Sequence, residues 1–114
     1  MAFNDAALTV GATAIAAAYP YLSLHTTGAV TSSANESTAA RVAAGWSVDS
    51  DGDITTSSKA FTGGAASGPV VRVGYWSAST GGTYGGGSLL TGDAAFNSSG
   101  AYTVSSITET GTAA

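Results

Sequence analysis

The side chains of this chain that could do chemistry are few, and they fall into four groups. The sole histidine, His25, lies in the run Tyr21-Leu22-Ser23-Leu24-His25-Thr26. A histidine titrates near neutral pH and can activate a serine nucleophile. No G-x-S-x-G turn or other nucleophile signature accompanies it, so it reads as a strand histidine. Asp49, Asp51 and Asp53 form the one carboxylate cluster, in the order Asp49-Ser50-Asp51-Gly52-Asp53. A calcium loop of the EF-hand type needs glycine at its sixth position and glutamate at its twelfth. Counted from Asp49, Gly52 is fourth and Ala60 twelfth. The cluster therefore reads as a solvated hairpin turn, with a weak surface calcium site as the alternative. Gly85-Gly86-Gly87 has neither the G-x-G-x-x-G spacing nor the following lysine of a phosphate cradle. Glycines in a strand mark a bulge or a close backbone approach instead. Trp46, Trp76 and the tyrosines could stack on a sugar. Against that, Trp46 falls on the apolar face of its strand.

The elements that must position these groups are mostly strands. Residues 4–18, NDAALTVGATAIAAA, form the one expected helix, capped by Asn4 or Asp5 and stopped at Pro20. Leu8, Gly11, Ala12 and Ile15 follow helical spacing and are expected to face inward. Residues 21–26 alternate as a strand, and 27–40 form a polar loop without periodicity. Residues 41–49 read as one strand with Val42, Ala44, Trp46 and Val48 on its buried face. Asp51-Gly52 makes a turn, and 54–62 reads as an edge strand guarded by Lys59. Residues 70–77 form a central strand, with Val71, Val73 and Tyr75 on one face and Trp76 on the other. A turn at Ser79-Thr80-Gly81-Gly82 leads into a returning strand, 83–90. A last strand or pair covers 95–108, with a bulge expected at Ser105-Ser106. The fold class expected is mainly β: an antiparallel sandwich or barrel-like domain with one N-terminal helix. It forms a single domain over 1–114, with the β part at 21–108 and a tail at 109–114.

Composition excludes several functions. The net charge is −4, and the only cations are Arg41, Lys59 and Arg72. Nucleic-acid binding needs several Lys or Arg at phosphates, so no nucleic-acid partner is expected. The apolar run 12–18 is too short to span a membrane and has no cationic start, so neither a membrane partner nor a cleaved signal is expected. With no cysteine there is no disulfide or thiolate metal site. No cofactor and no catalytic residue are expected. Sixteen glycines and many alanines bring little apolar area for the backbone entropy they lose on folding. Association with copies of itself or with a larger body is therefore expected. Phe3, Leu8 and Trp76 are the candidate interface residues.

Three blocks in order add a resemblance. They are Ala18-Tyr19-Pro20-Tyr21-Leu22-Ser23-Leu24-His25-Thr26; Ala34-Asn35-Glu36 followed by Ala40-Arg41; and Val73-Gly74-Tyr75-Trp76-Ser77-Ala78 with Gly81-Gly82-Thr83-Tyr84 and Gly100-Ala101-Tyr102-Thr103-Val104. Together the set resembles a family of small structural proteins of tailed phages and prophages, often labelled tail fibre or minor virion proteins. Pro20 within the first block and a shorter segment after Glu36 depart from that pattern. The resemblance implies a non-enzymatic virion component, made in the host cytoplasm and carried on the particle. A capsid decoration or minor capsid protein bound to the major capsid protein is the leading expectation. A tail-fibre or tail-tip subunit is the alternative, and a glycan-binding module is the second alternative.

Overall fold

The computed structural model describes residues 4–91 and 94–110. Helix α1 (Asp5–Ala18) comes first. Nine short strands follow among the described residues: β1 (Tyr21–His25), β2 (Val42–Ala43), β3 (Ser47–Val48), β4 (Ile54–Thr55), β5 (Lys59–Phe61), β6 (Arg72–Trp76), β7 (Tyr84–Leu89), β8 (Tyr102–Val104) and β9 (Thr108–Glu109). They form a four-stranded sheet in the order β2-β1-β6-β7, a three-stranded sheet β3-β4-β9 and a pair β5-β8. Every pairing is antiparallel. The fold is thus mainly β with one N-terminal helix, and its sheets do not close into a barrel. The molecule measures 46 × 27 × 22 Å, so it is elongated.

Pairing of β1 with β6 organises the centre. Leu22 lies opposite Tyr75 and Leu24 opposite Val73, so these four share one face. Phe61, Phe96, Tyr102, Val104 and Ile107 pack with them in the core. Tyr21, Ser23 and His25 lie opposite Trp76, Gly74 and Arg72 on the other face. That second face is also buried: Ser23, His25 and Arg72 have no exposed surface. Both faces of β1 and β6 are therefore covered, although their alternation resembles a strand with one wet face.

Several expectations are corrected. The strand expected over 41–49 is broken, because Gly45 adopts a left-handed φ of 59°. Its halves join different sheets, β2 and β3, while Ala44 is buried and Trp46 half-buried as their spacing predicts. The expected edge strand at 54–62 is also two pieces. The first, β4, is the middle strand of its sheet, held by β3 and β9. No bulge forms at Ser105-Ser106; there the chain crosses from the β5-β8 pair to the three-stranded sheet. The Thr56 N–H donates to Ile107 O at 2.9 Å across that crossing. The bulge lies instead in β7, where Tyr75 pairs with Gly86 but Trp76 with Tyr84, leaving Gly85 as the extra residue. The last strand ends at Glu109, one residue into the expected tail.

Helix α1 begins where Asn4 Oδ1 accepts the Ala7 N–H at 3.0 Å, with Asp5 in the first turn. It ends at Tyr19, before Pro20. Of its residues only Ala12 is buried. Leu8, Ala12, Ala16 and Tyr19 form the inward stripe, whereas Gly11 and Ile15 are exposed, contrary to expectation. The reason is the way the helix is seated. At its first turns it rests on the 49–53 turn, where Gly52 has a φ of 84° and a Cβ would come within 2.5 Å of Leu8 Cβ. At its end the Tyr19 ring lies against Gly85, where a Cβ would come within 2.6 Å of the ring. Gly52→Ala adds both backbone strain and that collision. It should lower unfolding free energy by about 1–3 kcal/mol, measured by urea denaturation. An unchanged midpoint would mean that the helix is not seated on this turn.

Candidate functional site

The residues with chemistry converge on the polar face of the four-stranded sheet, beneath the loop 26–41. Arg72, in the middle of this sheet, sends each arm of its guanidinium to a different acceptor. Nε donates to Thr27 O at 2.7 Å and Nη2 to Ala34 O at 2.9 Å. Nη1 donates to the Tyr84 hydroxyl, which in turn donates to Val30 O at 2.7 Å. Three carbonyls of a loop with no periodicity of its own are thus fixed by one buried side chain and its tyrosine.

His25 completes the set. Its Nδ1 lies 3.0 Å from Ala34 O and its Nε2 lies 2.6 Å from Ser23 Oγ. Since a carbonyl can only accept, the proton sits on Nδ1, and Nε2 accepts from the serine hydroxyl. Ser23 Oγ also accepts the Trp76 indole N–H at 2.9 Å. The proton chain Trp76 → Ser23 → His25 → Ala34 is therefore saturated. Burial lowers the His25 pKa, and the nearby Arg72 charge lowers it further, against the opposing pull of Ala34 O and Glu36. Burial likewise raises the Tyr84 pKa, which Arg72 partly offsets.

Gly74 makes this arrangement fit. A Cβ there would stand 2.6 Å from His25 Nε2, 2.7 Å from Ser23 Oγ and 2.9 Å from the Tyr84 ring. The outer end of the loop is fastened separately. Arg41 grips the Glu36 carboxylate with two bonds, 2.8 and 2.9 Å, and donates to Ala78 O and Gly81 O in the β6-β7 turn. Its guanidinium lies 3.7 Å over the Trp76 ring.

Ser23, His25 and Ala34 O have the connectivity of a histidine-activated serine with a carbonyl orienting the imidazole. They do not have its access. Both side chains are fully buried, and Ser23 Oγ already serves two partners. The arrangement fastens the loop and offers no reacting atom to a substrate.

The other residues predicted from sequence lie elsewhere. Trp76 is 9% exposed and is packed beneath Arg41 and beside Tyr84, at 5.2 Å between ring centres. Its ring is neither on the surface nor under the helix. Leu8 is half-buried against Gly52 of its own chain, and Phe3 lies outside the described residues. Trp46 donates to Tyr19 O at 2.9 Å and meets Tyr75 edge to face at 5.4 Å. Trp76 is covered by Arg41 and offers no stacking platform, whereas Trp46 is half-buried. Asp49 Oδ1 accepts the N–H groups of Asp51 and Asp53, the geometry of a carboxylate closing a turn. Among the described residues no group of three potential ligands is placed to hold a metal. Gly85 is the bulge, and at Gly87 a Cβ would collide with Val73 O at 2.2 Å.

A second feature is an open cleft of about 860 Å³ between α1 and the sheets. Val10, Gly11 and Ile15 of the helix line one side, and Trp46, Tyr75 and Gly86 line the other. Burial raises the Tyr75 pKa, and its hydroxyl stays protonated, reaching Ser88 Oγ at 3.4 Å. Val10 is 71% exposed and Ile15 52%.

Sequence reasoning missed Arg72, Tyr84, Glu36 and Arg41 as a set. The signal was there: an arginine inside Val70-Val71-Arg72-Val73 must find acceptors if that strand is central. The three blocks of the phage resemblance meet at this face, since they contribute Ser23 and His25, Ala34, Glu36 and Arg41, and Gly74, Trp76 and Tyr84. Comparison of the chain with protein-family models, curated proteins and solved structures gives no match. The resemblance therefore rests on those blocks alone.

Replacing the fork of Arg72 by a single ammonium, Arg72→Lys, leaves at least one loop carbonyl without its donor. The loss of stability should be about 2–4 kcal/mol in chemical denaturation. A loss well under about 1 kcal/mol would show that the fork does not hold the loop.

Proposed function

We propose that this chain is a non-enzymatic structural subunit of a tailed-phage particle. It works by assembly, as a capsid decoration or minor capsid protein seated on the major capsid lattice. The observation that carries this reading is helix α1. The helix is almost uncharged, buries only Ala12 and holds Val10 and Ile15 in water beside an apolar cleft. A helix apolar on both its inner and outer sides is one that expects a second surface. The polar side chains of the central sheet face, by contrast, are turned inward and saturated, which suits a part that must be rigid. Binding to a lattice would add stability by mass action to a glycine-rich domain. The ordered sequence blocks supply the phage context.

Quantitative mass spectrometry of purified particles, scaled to the major capsid protein, tests the reading. Hundreds of copies per particle are expected for a head-lattice protein. A few tens or fewer would move the chain to the tail, as the fibre or tip subunit. Absence from the particle would end the virion reading. The helix surface has its own test. The pair Val10→Lys and Ile15→Lys, at exposed positions, should leave the free chain folded while lowering its occupancy on particles by about tenfold or more. Unchanged occupancy would place the contact elsewhere on the molecule.

A further inference from the structure

We propose that the 27–34 part of the loop is an acid-released strap, closed over a His25 ring that has room and partners only in its neutral form. The neutral ring is built into the geometry: Nδ1–H goes to Ala34 O, and Nε2 takes the Ser23 hydroxyl proton at 2.6 Å. A second ring proton would point Nε2–H at Ser23 Oγ, which already accepts the Trp76 N–H. The serine would have to turn its own proton away, inside a site with no exposed surface.

The charges around the ring oppose that proton as well. From β6 comes Arg72, whose Nη2 shares Ala34 O with His25. From β7 comes the neutral Tyr84, edge-on at 5.9 Å between ring centres. From the loop come Glu36 and Arg41, and Glu36 is engaged by Arg41 through both its oxygens. The neighbourhood thus holds two cations and one committed carboxylate before His25 charges. Burial and Arg72 lower the His25 pKa from its ordinary 6.5. A folded value below the free value means that the hold is complete above about 6.5. It weakens as the pH falls below that point toward the folded value.

The strap and the sheet differ in what holds them. Between Thr27 and Ala34 the ties to the sheet are those from Arg72, Tyr84 and His25 to the Thr27, Val30 and Ala34 carbonyls. Apart from the half-buried Val30, this stretch offers no large apolar anchor. Strands β1 and β6 are held by a five-residue ladder and by Leu22, Leu24 and Val73 in the core. Acid should therefore open the strap at a pH where the sheet is still closed.

Because His25 is the sole histidine, its ring protons can be followed in the wild-type chain by NMR without ambiguity. Amide hydrogen exchange on the same samples, corrected for the intrinsic pH dependence, reports the strap. Between about pH 7.5 and about pH 5, protection of the Ser32 and Ala34 amides should fall by about tenfold or more, the fall beginning near pH 6.5 and levelling off where the ring signals show His25 titrating. Protection in 22–24 and 72–76 should stay constant. The neutral variant His25→Gln, if folded, should lose this pH dependence. Three results would overturn the proposal: His25 titrating with the strap still protected, the strap and sheet losing protection together, or no His25 titration before global acid unfolding.

Discussion

A guanidinium with no exposed surface sits in the centre of the main sheet, and most of the molecule's irregular structure follows from it. A charge removed from water is tolerated only where hydrogen bonds replace its hydration. Arg72 lies on an interior strand, where ladder partners occupy the backbone on both sides, so its acceptors must come from above the sheet. They come from Thr27, Ala34 and, through Tyr84, Val30. The loop is therefore not a free connection between β1 and β2. Among the described residues no buried side-chain nitrogen or oxygen lacks a partner, which is what lets so polar a layer exist beneath it.

The same constraint explains the glycines of this region. A layer of Arg, His, Ser, Trp and Tyr side chains on one sheet face needs room close to the backbone, and Gly74 provides it directly beneath the His25–Ser23 contact. The bulge at Gly85 admits the Tyr19 ring at the end of the helix. One glycine thus opens the polar face to its side chains, while the other lets the Tyr19 ring, just past the helix, close down on β7. The helix and the strap cover different parts of the sheet, and neither leans on the other.

Some of this was legible in the residues. The helix bounds follow from Asn4, Asp5 and Pro20, and the central place of the 70–77 strand from its Val and aromatic residues, despite Arg72 among them. The hairpin turn at Gly81-Gly82 follows from turn chemistry, and both glycines have positive φ. What was not legible depended on long-range partners. Nothing local tells that Gly45 splits a regular alternation between two sheets. Nor does anything local tell that Ile54 belongs to a middle strand, because that depends on Thr108 and Glu109, more than fifty residues away. The polar face failed to declare itself for a different reason. Its acceptors are backbone carbonyls of a Ser/Thr/Ala loop, and a carbonyl has no signature in sequence. The surroundings of Trp76 stayed open because its cover, Arg41, lies thirty-five residues earlier in the chain.

The distribution of polar and apolar groups bears on how such a chain could act. The buried polar groups of the sheet face are paired with one another beneath a loop, while the cleft is lined by Val10, Ile15, Trp46 and Tyr75, with Glu109 and Thr110 among its polar members. What the molecule turns toward solvent along α1 is mostly apolar, Val10 and Ile15 included, and it is carried on a helix seated at both ends but scarcely buried. Rigidity comes from the polar layer, while the capacity for contact comes from the apolar one. A chain with only three cations can hold a loop by charge only if two of them are committed to it. Arg41 and Arg72 are so committed, Arg41 at the outer end of the loop and Arg72 beneath it.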